Sequence, residues 1–197
     1  MKNKLFASFV FTLFTFGLGF NAAWAHVTPN IKLSSTRETV ARLLPAGKLF
    51  LKDVQLSKVQ MEQFNGDGFW PTHENHYKFY VSRDENNQLQ RAMVSITEMS
   101  RHGPLVVAVA FRPDGTVADA MITDIQMEPL TWVSPLLKAN YMAEFRGKDS
   151  SMKVALDPKW AKGSTTMAQT YALIIAHAVK KAAVLFDETF QKNPVGL

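Results

Sequence analysis

No cysteine occurs anywhere in the 197 residues. That absence removes disulfides, thiolate nucleophiles, zinc knuckles, cysteine-ligated iron–sulfur clusters and thioether-attached haem together. It also leaves no thiol for an oxidising compartment to change. Charge of one sign is scarce too: the net charge is +5, and it falls to +3 once Lys2 and Lys4 are set aside. An excess that small does not make a nucleic-acid surface. No Gly-x-Ser-x-Gly elbow is present, so a serine hydrolase has only scattered Ser, His and Asp to draw on. Neither repeats nor low-complexity linkers interrupt the chain. With 47% apolar residues, ten Gly and nine Pro, the composition excludes a disordered or collagen-like chain.

What is present begins with an export signal. Lys2 and Lys4 precede a largely apolar, uncharged stretch from Leu5 to Phe20, which ends in Asn21-Ala22-Ala23-Trp24-Ala25. The alanines stand at the −3 and −1 positions of a cleavage site, which predicts a secretory signal peptide over residues 1–25. Sixteen residues fall short of the ~20 that span a bilayer, which weighs against an uncleaved anchor. No cysteine follows for lipidation. The expected mature chain is His26 to Leu197, 172 residues in the periplasm, in one domain with a leader segment at 26–75 ahead of the main domain at 76–197.

Within that chain, Ser35-Thr36-Arg37-Glu38 reads as a capping box for a short helix carrying Val40, Leu43 and Leu44, stopped by Pro45 and Gly47. Leu49 to Leu56 is extended, Ser57 opens a second short helix with Met61 and Phe64 inward, and Asn65-Gly66-Asp67-Gly68 is a loop. Strands are expected at His76–Ser82 and Leu89–Thr97 around an Asn86-Asn87 turn. Leu105–Phe111 and Val117–Ile125 flank Pro113-Asp114-Gly115, the strongest hairpin signal in the chain. The Leu105 run is apolar on both faces and so predicts a central, covered strand. Trp132 to Phe145 reads as one helix with Leu136, Leu137, Tyr141 and Met142 at helical spacing. The last helix, Thr166 to Phe190, has a stripe of Tyr171, Ile174, Ile175, Ala178, Val179, Ala182, Leu185 and Phe186. Lys180 and Lys181 are expected off that stripe, on a solvated face. The order predicts an α+β fold, an antiparallel sheet with packed helices and a long C-terminal helix.

Just before that helix, Lys162-Gly163-Ser164-Thr165-Thr166 puts a cation, a glycine and three hydroxyls at a helix N-terminus. Free N–H groups and the positive end of the helix dipole favour an anion there, and glycine lets a ligand approach the backbone. Ser and Thr in this place are also ordinary N-caps.

Gly163-Ser164-Thr165 with its following helix resembles the Ser/Thr-Gly-Ala-Thr segment of the FMN-binding domain family. That family includes periplasmic subunits of the Rnf and Na⁺-pumping quinone oxidoreductase complexes and NosR/NosX-type proteins. Further resemblances follow in the same order along the chain. Arg101-His102-Gly103-Pro104 resembles the glycine-rich entry to the first hairpin strand, and Pro113-Asp114-Gly115 its Asp-Gly turn. Ile125-Gln126-Met127-Glu128-Pro129-Leu130 resembles the strand-end Glu-Thr/Glu-Pro motif. Phe145-Arg146-Gly147-Lys148 resembles the Phe-x-Gly-Lys segment, and Ser35 to Leu56 the leader of NosR-like members.

The resemblance implies an FMN-binding electron-transfer protein working between membrane or periplasmic redox proteins. It places the phosphate on Gly163, Ser164, Thr165, Thr166 and Lys162, and the ring beside Glu128, Pro129, Leu130, Thr131, Gly103 and Pro104. In the family the motif's threonine can carry FMN through a phosphoester made by a flavin transferase. By position that residue is Thr165, or Thr166 if the register slips by one. The chain departs from the motif at two places. Lys159 stands where the family has an acid six residues before the threonine, with Asp157 two further back; Lys162 and Ser164 replace the Ser/Thr and Ala around the glycine. The linkage therefore stays open between covalent and non-covalent, with Lys159 and Lys162 able to offset phosphate charge. Trp132 is placed either over the ring or in packing.

Two other classes of function are carried forward: a non-redox binding or assembly module on the same fold, and a copper protein using an N-terminal His26. His73 and His76 are a candidate ligand pair without an identifiable third ligand, His102 a candidate ligand contact, and His177 a packing or helix-surface residue. Phe69-Trp70-Pro71 with Tyr77, Phe79 and Tyr80 offers either a carbohydrate or partner surface or core. Asp84-Glu85 reads as a solvated turn.

Overall fold

The capping box forms as its spacing predicts. Glu38 N–H donates to Ser35 Oγ, Ser35 N–H donates back to the Glu38 carboxylate, and α1 (Thr36–Leu43) follows. These bonds hold the Glu38 carboxyl below its ordinary value. Ser35→Ala is expected to cost about 1 kcal/mol in urea unfolding. Because a lowered carboxyl stabilises the fold only while ionised, the Glu38 contribution is present above pH 4.5 and lost on acidification below it.

The computed structural model describes residues 30–66, 74–100, 103–127 and 130–192. Six strands form one antiparallel sheet: β1 Ile31–Lys32, β2 Lys48–Gln55, β3 His76–Arg83, β4 Leu89–Met99, β5 Pro104–Phe111 and β6 Val117–Ile125. Their order across the sheet is β1-β6-β5-β4-β3-β2, so β2 to β6 run as a meander and β1 returns to the far edge. Ser57 and Gln60 make a second capping box for α2 (Lys58–Gly66). This helix includes Asn65 and Gly66, which were expected to open a loop; glycine here closes a helix instead. Asp67, Gly68 and Phe69-Trp70-Pro71 lie outside the described residues. The Arg112–Gly115 turn closes through Gly115 N–H to Arg112 O, with Gly115 at φ +85°.

β5 is covered on both faces. Val107, Val109 and Phe111 lie under the long helix α5 (Thr166–Phe186), while Ala108 and Ala110 meet Leu43 and Leu44 of α1 on the opposite face. The stripe of α5 is buried throughout, and Phe186 stacks between Phe111 and Phe190. Tyr77 and Phe79 are core residues, so that part of the aromatic cluster is packing.

Three further expectations are corrected. The helix expected over 132–145 is two: α3 (Leu130–Lys138), then a 3₁₀ turn (Tyr141–Phe145), because Asn140 takes the left-handed conformation at φ 52°. Leu136, Tyr141 and Met142 are buried, but Leu137 is exposed. The last helix leaves α geometry after Phe186 and ends as a π turn, Asp187–Lys192.

The third correction concerns Lys181, which is not on a solvated face. It lies seven residues after Ile174 and four before Leu185, and therefore on the stripe itself. Its ammonium pairs with Glu98, the inward residue of β4 after Val94 and Ile96, and each side chain is 3% exposed. Lys180 is half-buried and donates to Ser150 O.

Candidate functional site

The corner expected to hold an anion is built by two helices in succession. Asp157 caps α4 (Pro158–Gly163), accepting from Lys159 N–H at 2.9 Å, with Pro158 preset at its first position. Trp160 anchors the helix by packing edge-on against Tyr141. Ser164 and Thr165 are extended, and Thr165 Oγ1 caps α5 by accepting from Ala168 N–H at 3.3 Å. Gln169 Nε2 reaches back to Ser164 O at 3.1 Å, which pins the corner to the first turn of α5.

On that corner Lys162, Gly163, Thr165 and Thr166 are exposed and Ser164 is half-buried. Among the described residues no carboxylate comes within 4 Å of Lys162 Nζ. Lys159, by contrast, is bonded to Glu144, which raises its pKa and takes its charge away from the corner. The structure thus leaves one of the two lysines for an anion.

Gly163 closes α4, and packing among the described residues does not require a glycine there. A Cβ built there meets nothing within 4 Å among the described residues, and its φ is not in the left-handed region. Gly103 is the opposite case: its Cβ would lie 2.3 Å from Gln126 O, so the close hairpin entry itself demands glycine. One turn before the corner, Trp160 Nε1 is a buried donor with no hydrogen-bond partner among the described residues.

The strand ends expected beside the ring lie at the same end of the sheet as this corner. Gln126 N–H donates to Pro104 O and Ser100 N–H to Gly103 O, which ties the β4–β5 connection to the exit of β6. Tyr171, five residues into α5 and so about 8 Å along its axis, reaches Ser100 Oγ and packs on Trp132. Trp132 is thereby in packing. Leu130 and Thr131 open α3 and are exposed, as is Met127 at φ 57°. Glu128, Pro129, Arg101 and His102 lie outside the described residues.

Of the Phe145-Arg146-Gly147-Lys148 segment, Phe145 closes the 3₁₀ turn beside α4, and the chain then leads away from the corner. Gly147 and Lys148 pair with Val117 at the start of β6, near the far end of α5, a helix about 30 Å long.

Neither histidine expectation gains a third ligand. His76 is exposed, 3.3 Å from Asp53, and among the described residues no three His, Asp or Glu side chains gather. His26 and His73 lie outside the described residues. His177 is half-buried, and burial, reinforced by Lys181, lowers its pKa. It lies within the electrostatic reach of Lys181, as Glu74 does, and only Lys181 of this group was expected in solvent. The inward alternation of Val94, Ile96 and Glu98 was the available signal.

No helix among the described residues is long and apolar enough to cross a membrane. The chain matches no protein-family model, no curated protein and no solved structure.

Proposed function

We propose that this protein is an exported FMN-binding electron carrier acting between membrane redox partners and a periplasmic acceptor. The observation that carries this reading is Gly163. Among the described residues neither packing nor backbone conformation requires glycine there, and the absence of a side chain suits the approach of a ligand to the N-terminal N–H groups of α5. The exposed hydroxyls of Thr165 and Thr166 and the Lys162 ammonium, which no carboxylate among the described residues pairs, suit a phosphate at this corner. Gly103, Pro104, Leu130 and Thr131 border the ring, with the Glu128 and Pro129 backbone between them in sequence. The flavin, when bound, supplies the redox chemistry; the chain supplies binding and orientation.

Colour tests the proposal. Protein isolated from the periplasm of a host with a flavin transferase is expected to show flavin absorption. Colourless protein that takes up no added FMN overturns the reading and favours a non-redox module. Colour that stays in an acid-precipitated pellet marks a covalent bond, and Thr165→Ala is then expected to abolish it. That variant also loses about 1 kcal/mol of helix cap, so Thr165→Ser is the control that keeps both cap and hydroxyl. Loss only in Thr166→Ala moves the attachment by one residue.

A further inference from the structure

On the face of the sheet opposite α5, a second site stands apart from the flavin reading. The pairing of β5 with β6 slips between Val106 and Val107: Val106 faces Asp124 while Val107 faces Ile122, so Thr123 is an extra residue in β6. Such a bulge re-aims side chains. Ile122 and Ile125 both stay in the α5 core, and the two residues between them, Thr123 and Asp124, line a cavity on the α1 face. The cavity is about 210 Å³ and is bordered by the segment leading into α1, where Leu33 and Ser34 N–H both donate to Thr123 O.

Its lining is hydroxyl-rich, with Ser34, Thr36, Thr39, Ser95 and Thr123 around the Asp124 carboxylate, and the exposed Lys32 stands at its edge. Thr39 is buried and bonds to Ser35 O and Ser34 Oγ, which holds the hydroxyls in place. Asp124 is the unbalanced group. Its Oδ1 is buried and accepts no hydrogen bond from any described residue. Lys32 stands directly opposite Asp124 in the β1–β6 register, but no ion pair within 4 Å joins the two.

A buried carboxylate oxygen without a partner costs free energy until a donor reaches it. A cationic donor satisfies both the lone pair and the charge, and hydroxyl oxygens accept further N–H groups. One carboxylate is too few for a divalent metal cage, and the volume is below the roughly 300–1,000 Å³ of pockets for drug-sized ligands. We propose that this cavity binds a small molecule through a primary ammonium group, with Asp124 as its anchor and the surrounding hydroxyls as its remaining acceptors.

Ethanolamine is the probe, because it joins an ammonium to one hydroxyl. Titrated into the purified protein, it is expected to give saturable amide shifts in NMR at Leu33, Ser34 and Thr123 to Ile125. Asp124→Asn is expected to weaken it roughly tenfold or more, the loss of one charge-assisted hydrogen bond. Thr36→Lys, at an exposed position on the rim, keeps the core intact and is expected to block the cavity equally. Choline, a cation without N–H, and ethylene glycol, a diol without charge, are expected to bind at least as weakly as ethanolamine does to Asp124→Asn. The proposal is overturned if ethanolamine gives no saturable shift, if both variants bind it like the parent protein, or if choline or ethylene glycol matches it.

Discussion

Lys181→Met is expected to destabilise the protein by about 3–5 kcal/mol at neutral pH, the usual cost of leaving one member of a buried ion pair alone. The pair spans the interface of α5 with β4, and both side chains are almost wholly removed from water. The ammonium's attraction offsets the desolvation of Glu98 only while both are present. Burial already raises the Glu98 carboxyl above its ordinary 4.5, against the pull of Lys181. The folded state therefore holds a proton that the unfolded chain releases above pH 4.5, and stability falls as pH rises through that window. Removing Lys181 removes the pull and widens the window. The deficit of Lys181→Met should accordingly be largest near neutrality and shrink as the pH falls through and below 4.5, where Glu98 becomes protonated in both states. Urea unfolding at the two pH values checks the sign. The double variant Glu98→Leu/Lys181→Met is expected to recover most of the loss, because an apolar pair of similar volume carries no desolvation cost. Equal losses in the single and double variants would show that packing volume, not charge, sets the effect.

Phe186→Ala is expected to cost a similar amount, about 3–5 kcal/mol, through the cavity it leaves. Phe186 is fully buried where the end of α5 meets the sheet, stacked on Phe111 at 4.9 Å and Phe190 at 4.8 Å and edge-on to Phe79. Phe190 belongs to the π turn, which has no other large buried ring, so this turn should loosen with the substitution. For a chain of this size the loss corresponds to a fall in Tm on the order of 10 °C. Phe50→Ala is the contrast: Phe50 is 45% exposed on the edge strand and should change stability by less than about 0.5 kcal/mol. A Tm unchanged in Phe186→Ala would mean that the aromatic cluster is not closed.

The expectations that held were those set by neighbours in the chain. Ser35 with Glu38, and Pro113-Asp114-Gly115, are short-range devices whose hydrogen bonds close within three or four residues. Those that failed needed a partner far away or a single unusual dihedral. One left-handed residue, Asn140, split a helix whose apolar spacing continues across it. Lys181 was assigned to water because lysine usually is, and only Glu98, 83 residues earlier, makes its burial tolerable. The candidate corner was half legible. Its hydroxyls, glycine and Lys162 are contiguous, but the withdrawal of Lys159 by Glu144 and the open space over Gly163 depend on how α4 sits against the 3₁₀ turn.

By itself, then, the cysteine-free sequence determined the α+β class, the antiparallel hairpins, the covered central strand and the capped start of the longest helix, because hydrophobic period, turn residues and caps act locally. Only the tertiary structure decided which polar groups lie inside. The bulge at Thr123 turns Asp124 into a cavity, and the seating of α5 buries Lys181 on Glu98. The cause is the same in both cases: the cost of burying a charge depends on groups from strands and helices that meet only after folding.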